Sequence, residues 1–369
     1  MTVDMAEALG VTAELEALGV DPTDADPRAW AADHGIAAVV SRLVERLQRG
    51  AAAPKWAWPG CDVAEAEHEN KPETLGRIEP GDVRRGKWTQ TWRLLGPLRE
   101  DRLALVIGPT KRGKTAWALG MAEGAAASNH AAPVLYVSAE LGEHEVAARL
   151  LAMRAASRVA WTAILRGRYE TDAVDAAGAA LCEDCPGLYV WTPSTHERDG
   201  DTLRKRVAMV SAAHDHAPVL VVLDYLQRFT PPGTNEIRLA VRDVSGGLRE
   251  LTRPGRRPPY PWWPQDVLWP GACAVVLSSA PRTMYQTLGT SNGVQKADTD
   301  TLEGAGKECG ELEYDATIVA VLTSDPPDPA KDARSGIFRV VVCRDGQPGH
   351  VPMTFHGSQG KWTEKVVTK

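Results

Sequence analysis

Gly108-Pro109-Thr110-Lys111-Arg112-Gly113-Lys114-Thr115 is the stretch on which the reading of this chain turns. It fits the pattern G-x-x-x-x-G-K-[ST]. An apolar run of strand length, Leu103 to Ile107, precedes it, and a helical run, Ala116 to Ala126, follows it. Glycines at both ends let the backbone curl so that its amides and the helix N-terminus face phosphates, while Lys114 neutralises the β- and γ-phosphates. Thr115 is expected to bind magnesium. Gly108, Thr110, Lys111, Arg112, Gly113, Lys114 and Thr115 are therefore the candidate ATP-binding residues, with Mg2+ as the accompanying ion.

Such a loop needs a second acid on the magnesium side, at the end of another buried strand. Val219-Leu-Val-Val-Leu223-Asp224 supplies one, so Asp224 is the second candidate magnesium ligand. Hydrolysis also needs a group that orients water. Val134-Leu-Tyr-Val-Ser-Ala-Glu140 ends the next strand with a carboxylate, which makes Glu140 the candidate base. A surface Glu capping the following helix is the competing reading, because Glu143 and Glu145 lie close by.

Outward from the loop, short apolar runs alternate with helical stretches. They are Leu103 to Ile107, Val134 to Val137, Leu188 to Trp191, Val219 to Leu223, Ala274 to Leu277, Ile318 to Leu322 and Phe338 to Val342. This rhythm predicts an α/β fold, a P-loop NTPase core with a mainly parallel central sheet wrapped by helices. Before it, Asp26-Pro27 marks a helix start, and Ile36, Val39, Val40, Leu43, Val44 and Leu47 recur at helical spacing. One amphipathic helix is expected there. The predicted organisation is a small helical N-terminal region over 1–50, an irregular Trp- and Pro-containing connector over 51–95, and the ATPase domain over 96–369. Between Arg253 and Gly271 runs a Pro- and Trp-rich insertion that suits neither helix interior nor central strand, and it is expected on the surface.

A net charge of −6 argues against a protein coated in basic surface. No apolar run approaches the roughly 20 residues that a membrane helix needs, and Met1 to Gly10 lacks a secretory pattern. A cytoplasmic protein is expected. The six cysteines, in a chain too long to need staples, are expected to be reduced. Cys182-Glu-Asp-Cys185 is either a polar turn before a strand or half of a zinc site with Cys61 and His68, and the missing second pair favours the turn.

Together these residues resemble the RecA-like ATPase domain of hexameric replicative helicases of the DnaB type and their plasmid RepA relatives, over roughly Gly96 to Phe355. Gly96-Pro-Leu-Arg and Thr115-Ala-Trp-Ala-Leu-Gly-Met-Ala are similar to that family's first strand and helix. Val137-Ser-Ala-Glu140-Leu with Ala147-Ala-Arg-Leu-Leu151-Ala resembles the segment carrying its catalytic Glu, and Asp224-Tyr-Leu-Gln227 is the most specific signature. Val276-Leu-Ser-Ser279-Ala-Pro-Arg282 resembles its third motif. There the family usually has a γ-phosphate-sensing Gln where Ser279 stands, and Ser reaches about two bonds less far. Val340-Val-Val-Cys-Arg344-Asp-Gly-Gln-Pro-Gly349 is similar to its Lys-x-Arg loop, with Arg344 kept and Val342 in the Lys position. The resemblance implies a homo-oligomer, a hexamer, in which Arg344 reaches the neighbouring subunit's ATP. The competing reading of Arg344 is a residue of a hairpin turn.

The resemblance also implies single-stranded DNA as the partner, gripped between Arg282 and Lys307. Arg282, Lys296 and Lys307 are the candidate DNA-binding residues, opposed by Asp298, Asp300 and Glu303, with Tyr285 as the single aromatic. A stronger cluster, Arg253, Arg256 and Arg257, adjoins Tyr260, Trp262, Trp263 and Trp269. It suits stacking on single strands or docking on protein, and a Pro-rich aromatic segment favours protein through 253–271. Three functions follow: a helicase or translocase in replication, a RecA- or RadA-like ATPase of recombination or mobile-element complexes that does not unwind duplexes, and an ATP-controlled assembly module.

Overall fold

The computed structural model describes residues 26–50, 88–96, 98–127, 133–155, 159–229, 237–298, 302, 315–328, 330–344 and 348–365. Lys307, Cys61, His68, Trp56 and Trp58 lie outside them.

The first helix, α1 (Pro27–His34), starts where its chemistry dictates. The Asp26 carboxylate accepts from the Arg28 and Ala29 amides, and Pro27 sits where no intrahelical amide is needed. The single helix expected here is in fact two. Gly35 leaves helical backbone and bridges to Tyr189, and α2 (Ile36–Gly50) restarts after it. Ile36, Val39, Val40 and Leu43 keep their spacing and bury against the α/β core, so this helix pair shares that core. The connector also ends sooner than expected. Residues 89–95 form α3 (Thr89–Leu95), and Trp88 and Trp92 are buried.

Nine strands form one sheet in the order β3-β2-β4-β5-β1-β6-β7-β8-β9. Parallel pairing joins β1 (Arg102–Gly108), β2 (Val134–Ser138), β3 (Leu188–Trp191), β4 (Val219–Asp224), β5 (Ala272–Ser279) and β6 (Ile318–Ser324). The chain then folds back antiparallel through β7 (Ala333–Cys343), β8 (Gly349–His356) and β9 (Lys361–Glu364). β8 and β9 extend the sheet beyond the strands expected from apolar runs.

Helices cover both faces, as a parallel sheet requires. On one side lie α4 (Lys114–Ala126), α5 (Glu143–Arg154), α6 (Trp161–Leu165) and α7 (Thr171–Asp184); on the other lie α8 (Gly200–Ala213) and α9 (Ile237–Thr252). The central strand shows the alternation directly. Ala104 and Val106 join the first layer, while Leu103, Leu105 and Ile107 join the second.

The Cys182 region is helical rather than a turn: Cys182 lies on α7 and Cys185 caps its end. The Cys185 thiol is buried 3.2 Å from an Arg154 guanidinium nitrogen. Among the described residues no group of three His, Cys, Asp or Glu is placed to hold a metal. No described helix is long and apolar enough to cross a membrane.

The 253–271 segment forms neither helix nor strand, as its prolines predict, but its tryptophans turn inward. Trp263 is 1% exposed and Trp269 8%. Their indole nitrogens donate to Val267 O and Leu251 O, each at 2.8 Å. Each ring thereby buries its body and satisfies its one polar atom. The expectation of tryptophans offered to a partner is corrected at these two positions.

Candidate functional site

The loop 108–115 runs from the carboxyl end of β1 into the first turn of α4. Its two glycines are required for separate reasons. A Cβ on Gly108 would collide with the Leu322 carbonyl on β6, whereas Gly113 has a φ of 88° and lies against the Trp362 ring. Lys111 also takes a left-handed conformation, with φ at 60°.

Lys114 is 8% exposed, and its ammonium donates to Gly108 O at 2.7 Å and Pro109 O at 2.9 Å. The loop's own carbonyls therefore hold the charge that phosphate oxygens would take. Burial pulls the Lys114 ammonium down to about 8, opposed by the negative charges of Asp224 and Glu140. Asp224, 1% exposed at the end of β4, is pushed up by burial. Hydrogen bonds from Tyr136, at 2.8 Å, and from Thr115, together with the Lys114 charge, pull it back. The Thr115 hydroxyl and the Asp224 carboxylate are thus already in contact beside the loop. This pairing of donors fits a hard, oxygen-seeking cation such as magnesium.

Glu140 reaches the same place by strand register. Ser138 pairs with Asp224, the Ala139 amide donates to Asp224 O at 2.8 Å, and Glu140 follows, exposed. The Ser138 hydroxyl accepts from the Leu141 amide at 3.0 Å, closing a turn that presents Glu140. Of the rival carboxylates, Glu143 is held by Arg42 of α2, with N–O distances of 2.8 to 3.0 Å. Glu140 meets no such clamp among the described residues and faces the loop's charges.

Ser279 ends β5 directly beside Gly108 in the sheet, and the following amide, Ala280, donates to Gly108 O at 3.0 Å. Gln227 joins it to β4: its side-chain oxygen accepts from the Ser279 amide at 3.2 Å, and its nitrogen donates to Ser278 Oγ at 2.8 Å. The Gln of Asp224-Tyr-Leu-Gln227 therefore ties the acid-bearing strand to the strand carrying Ser279.

Of the DNA candidates, Arg282 opens the turn after β5, and Lys296 is exposed at the end of α11 (Ser291–Lys296), which follows α10 (Tyr285–Leu288). Arg339 of β7 caps α11 by donating to Val294 O at 2.8 Å and Ala297 O at 2.7 Å. These residues are not brought together with the nucleotide cluster, but Tyr285 is. Its hydroxyl lies 3.2 Å from Thr110 Oγ1 and accepts from the Thr110 amide at 3.4 Å, so the lone aromatic of the segment sits on the loop.

Arg344 stands apart. It is exposed at the end of β7, in the turn toward β8, with its amide donating to Thr317 O at 3.0 Å. Its neighbour Cys343 pairs with Ile318, which pairs with Ala104, so Arg344 lies at the amino end of β1, roughly 13 Å along the strand from Gly108.

Three further residues escape a reading of the sequence. Trp362 of β9 donates to Gly113 O at 2.9 Å and is braced by Trp88, whose indole donates to Trp362 O at 3.1 Å. Tyr136 looks like an ordinary strand aromatic until its hydroxyl is found on Asp224. Arg149 of α5 stacks 3.8 Å over Trp161; burial lowers its pKa, while Glu145, Tyr136, Asp224 and Glu140 oppose that. The spacing of nine residues after Glu140 on an otherwise apolar helix was the available signal.

Residues 89–258 match the family model described as the DnaB-like helicase C terminal domain. No curated protein matches the sequence. Among solved structures, the ATPase domain of one DnaB-like helicase is 18% identical with a TM-score of 0.55, over 72% of this chain and 86% of that one. The structure of a DnaB-like replicative helicase and its interactions with primase gives 18% identity and a TM-score of 0.57. There the alignment takes 74% of this chain but 60% of the helicase. At such identity the likeness is one of fold. It agrees with the parallel sheet, the loop and the acids at the strand ends, and residues 89–258 are accordingly a DnaB-like helicase C-terminal domain on a RecA-like α/β core.

Proposed function

We propose that this protein is an ATP-hydrolysing motor of the DnaB or RepA-like kind, assembled as a homohexamer and acting on single-stranded DNA in replication. One observation carries the reading: Lys114, Thr115, Asp224 and Glu140 converge at one end of the sheet, while Arg344 is exposed at the other. A subunit's own Arg344 does not serve its own nucleotide, but in a head-to-tail ring it meets the next subunit's.

The ATP·Mg2+ complex, when bound, supplies the phosphoryl group and neutralises much of its charge. Lys114 exchanges the Gly108 and Pro109 carbonyls for phosphate oxygens, and the Thr115 hydroxyl and Asp224 carboxylate hold the ion. Glu140 orients the attacking water and takes its proton. Arg344 of the adjoining subunit adds positive charge as the transition state forms. Tyr285 links the loop to the segment bearing Arg282 and Lys296, where the DNA backbone is gripped; Lys307 belongs to the same proposal.

The purified protein should hydrolyse ATP faster with single-stranded DNA, and native mass measurement should show a hexamer with ATP. DNA that neither binds nor stimulates sinks the motor reading. Ser279 and Val342 favour a second reading, a related ATPase of recombination or mobile-element complexes. DNA-stimulated hydrolysis with a silent strand-displacement assay selects it. An assembly module hooked through its tryptophans is disfavoured by the burial of Trp263 and Trp269.

A further inference from the structure

Between α8, the end of α9 and the Pro-rich segment lies a cavity of about 860 Å³, remote from the residues of the nucleotide site. Its floor is apolar, from Ala208, Leu251, Pro258 and Trp269. Its walls are basic: Arg204 and Lys205 come from α8, and Arg253, Arg256 and Arg257 from the segment. Two acids oppose these five cations, Asp201 and Glu250, and both pair with Arg204. Arg257 spends its hydrogen bonds on the neutral carbonyls of Trp263 and Pro264, at 3.1 and 3.2 Å, so its charge is left standing. In a chain of net charge −6, this is a local excess of positive charge over an apolar floor.

Its chemistry calls for a chain carrying carboxylates on either side of apolar anchors. Single-stranded nucleic acid fits less well, because it needs free aromatic faces. Here Trp263 and Trp269 are buried, and Tyr260 and Trp262 stack on each other at 4.9 Å. A matching peptide is present in the chain itself. Residues 1–25 carry Asp4, Glu7, Glu14, Glu16, Asp21 and Asp24, contain no Lys, Arg or His, and intersperse Leu9, Val11, Leu15, Leu18 and Val20. They lead directly into Asp26 and α1, and α1 lies against α8, with Trp30 5.3 Å from the Arg206 guanidinium. Helix α8 is also a wall of the groove. Twenty-five residues span up to about 80 Å when extended, so reach is no obstacle.

We propose that the basic groove is a docking site for an acidic peptide, and that residues 1–25 of the same chain are its occupant. Carbodiimide cross-linking of the full chain, which joins amines only to carboxylates in ionic contact, tests this through Lys205. Peptide mass spectrometry should find Lys205 linked to carboxylates between Asp4 and Asp24. In R253E/R256E that product should fall at least tenfold at an unchanged melting temperature, and R253K/R256K should restore it. An equal mixture of isotope-labelled and unlabelled chains should give links within one chain.

Lys205 linked only to Asp201 or Glu250 overturns the proposal. So do links between labelled and unlabelled chains, which would make the groove a contact between copies. A third contrary result is an R253E/R256E chain that loses affinity for labelled oligothymidylate while its cross-link is unchanged, which would make the groove a nucleic-acid site.

Discussion

Lys114 carries the chemistry of the site in a form that pH can test. Its folded value near 8 lies below the ordinary 10.5, so between these two values the unfolded chain holds a proton that the folded chain has lost. Stability must then rise with pH across that window, and below about 8 the cost of burying the charge is fully present. Phosphates restore the charge on binding, so nucleotide affinity should fall as pH climbs above about 8. Fluorescent-nucleotide titrations from pH 7 to 10 check this, with Lys114→Met binding weakly and without that slope. Glu140→Gln should leave nucleotide affinity near wild type and lower turnover by about 10²- to 10⁴-fold, read from steady-state phosphate release. Glu140 and Asp224 were legible in the sequence because each ends an apolar run. Tyr136 and Arg149 were not, since their meaning lies in which carboxylates the fold brings within reach.

Among the elements, β9 and α10 matter most and announced themselves least. Lys361-Trp-Thr-Glu364 is too short to show alternation, and Trp362 meets its partner Gly113 across 249 residues of sequence. Trp362→Ala should cost about 3–5 kcal/mol by denaturant unfolding, the loss usual for a large buried ring. Nucleotide affinity should fall with it, because the ring that backs Gly113 is gone; Trp362→Phe should recover much of the stability. For α10, Tyr285→Phe removes one hydroxyl from Thr110. Turnover without DNA should stay within about threefold, while stimulation by single-stranded DNA drops, as expected for a link worth about one hydrogen bond. The seven strands expected from apolar runs all form, because a buried parallel strand must be apolar throughout. The break at Gly35 was hidden, because Ile36, Val39 and Val40 continue the helical spacing across it.

At the scale of the whole molecule, the separation of Arg344 from its own loop makes activity a property of pairs. Lys114→Ala and Arg344→Ala should each be nearly inactive alone. Mixed in equal amounts before assembly, they should recover about a quarter of wild-type turnover, since half the loops are intact and half of those meet an intact arginine. Additive residual rates would mean that Arg344 acts otherwise. The sequence suggested this arrangement only through resemblance, because neither spacing nor hydropathy records what a neighbouring copy contributes. Trp362 has one more consequence, which concerns time rather than space. The loop that closes on phosphate is translated early, yet the indole that backs it arrives 249 residues after Gly113. A nascent chain halted before Trp362 would leave the ribosome with every loop residue in place and an unbraced cradle, so nucleotide capture marks the completion of synthesis.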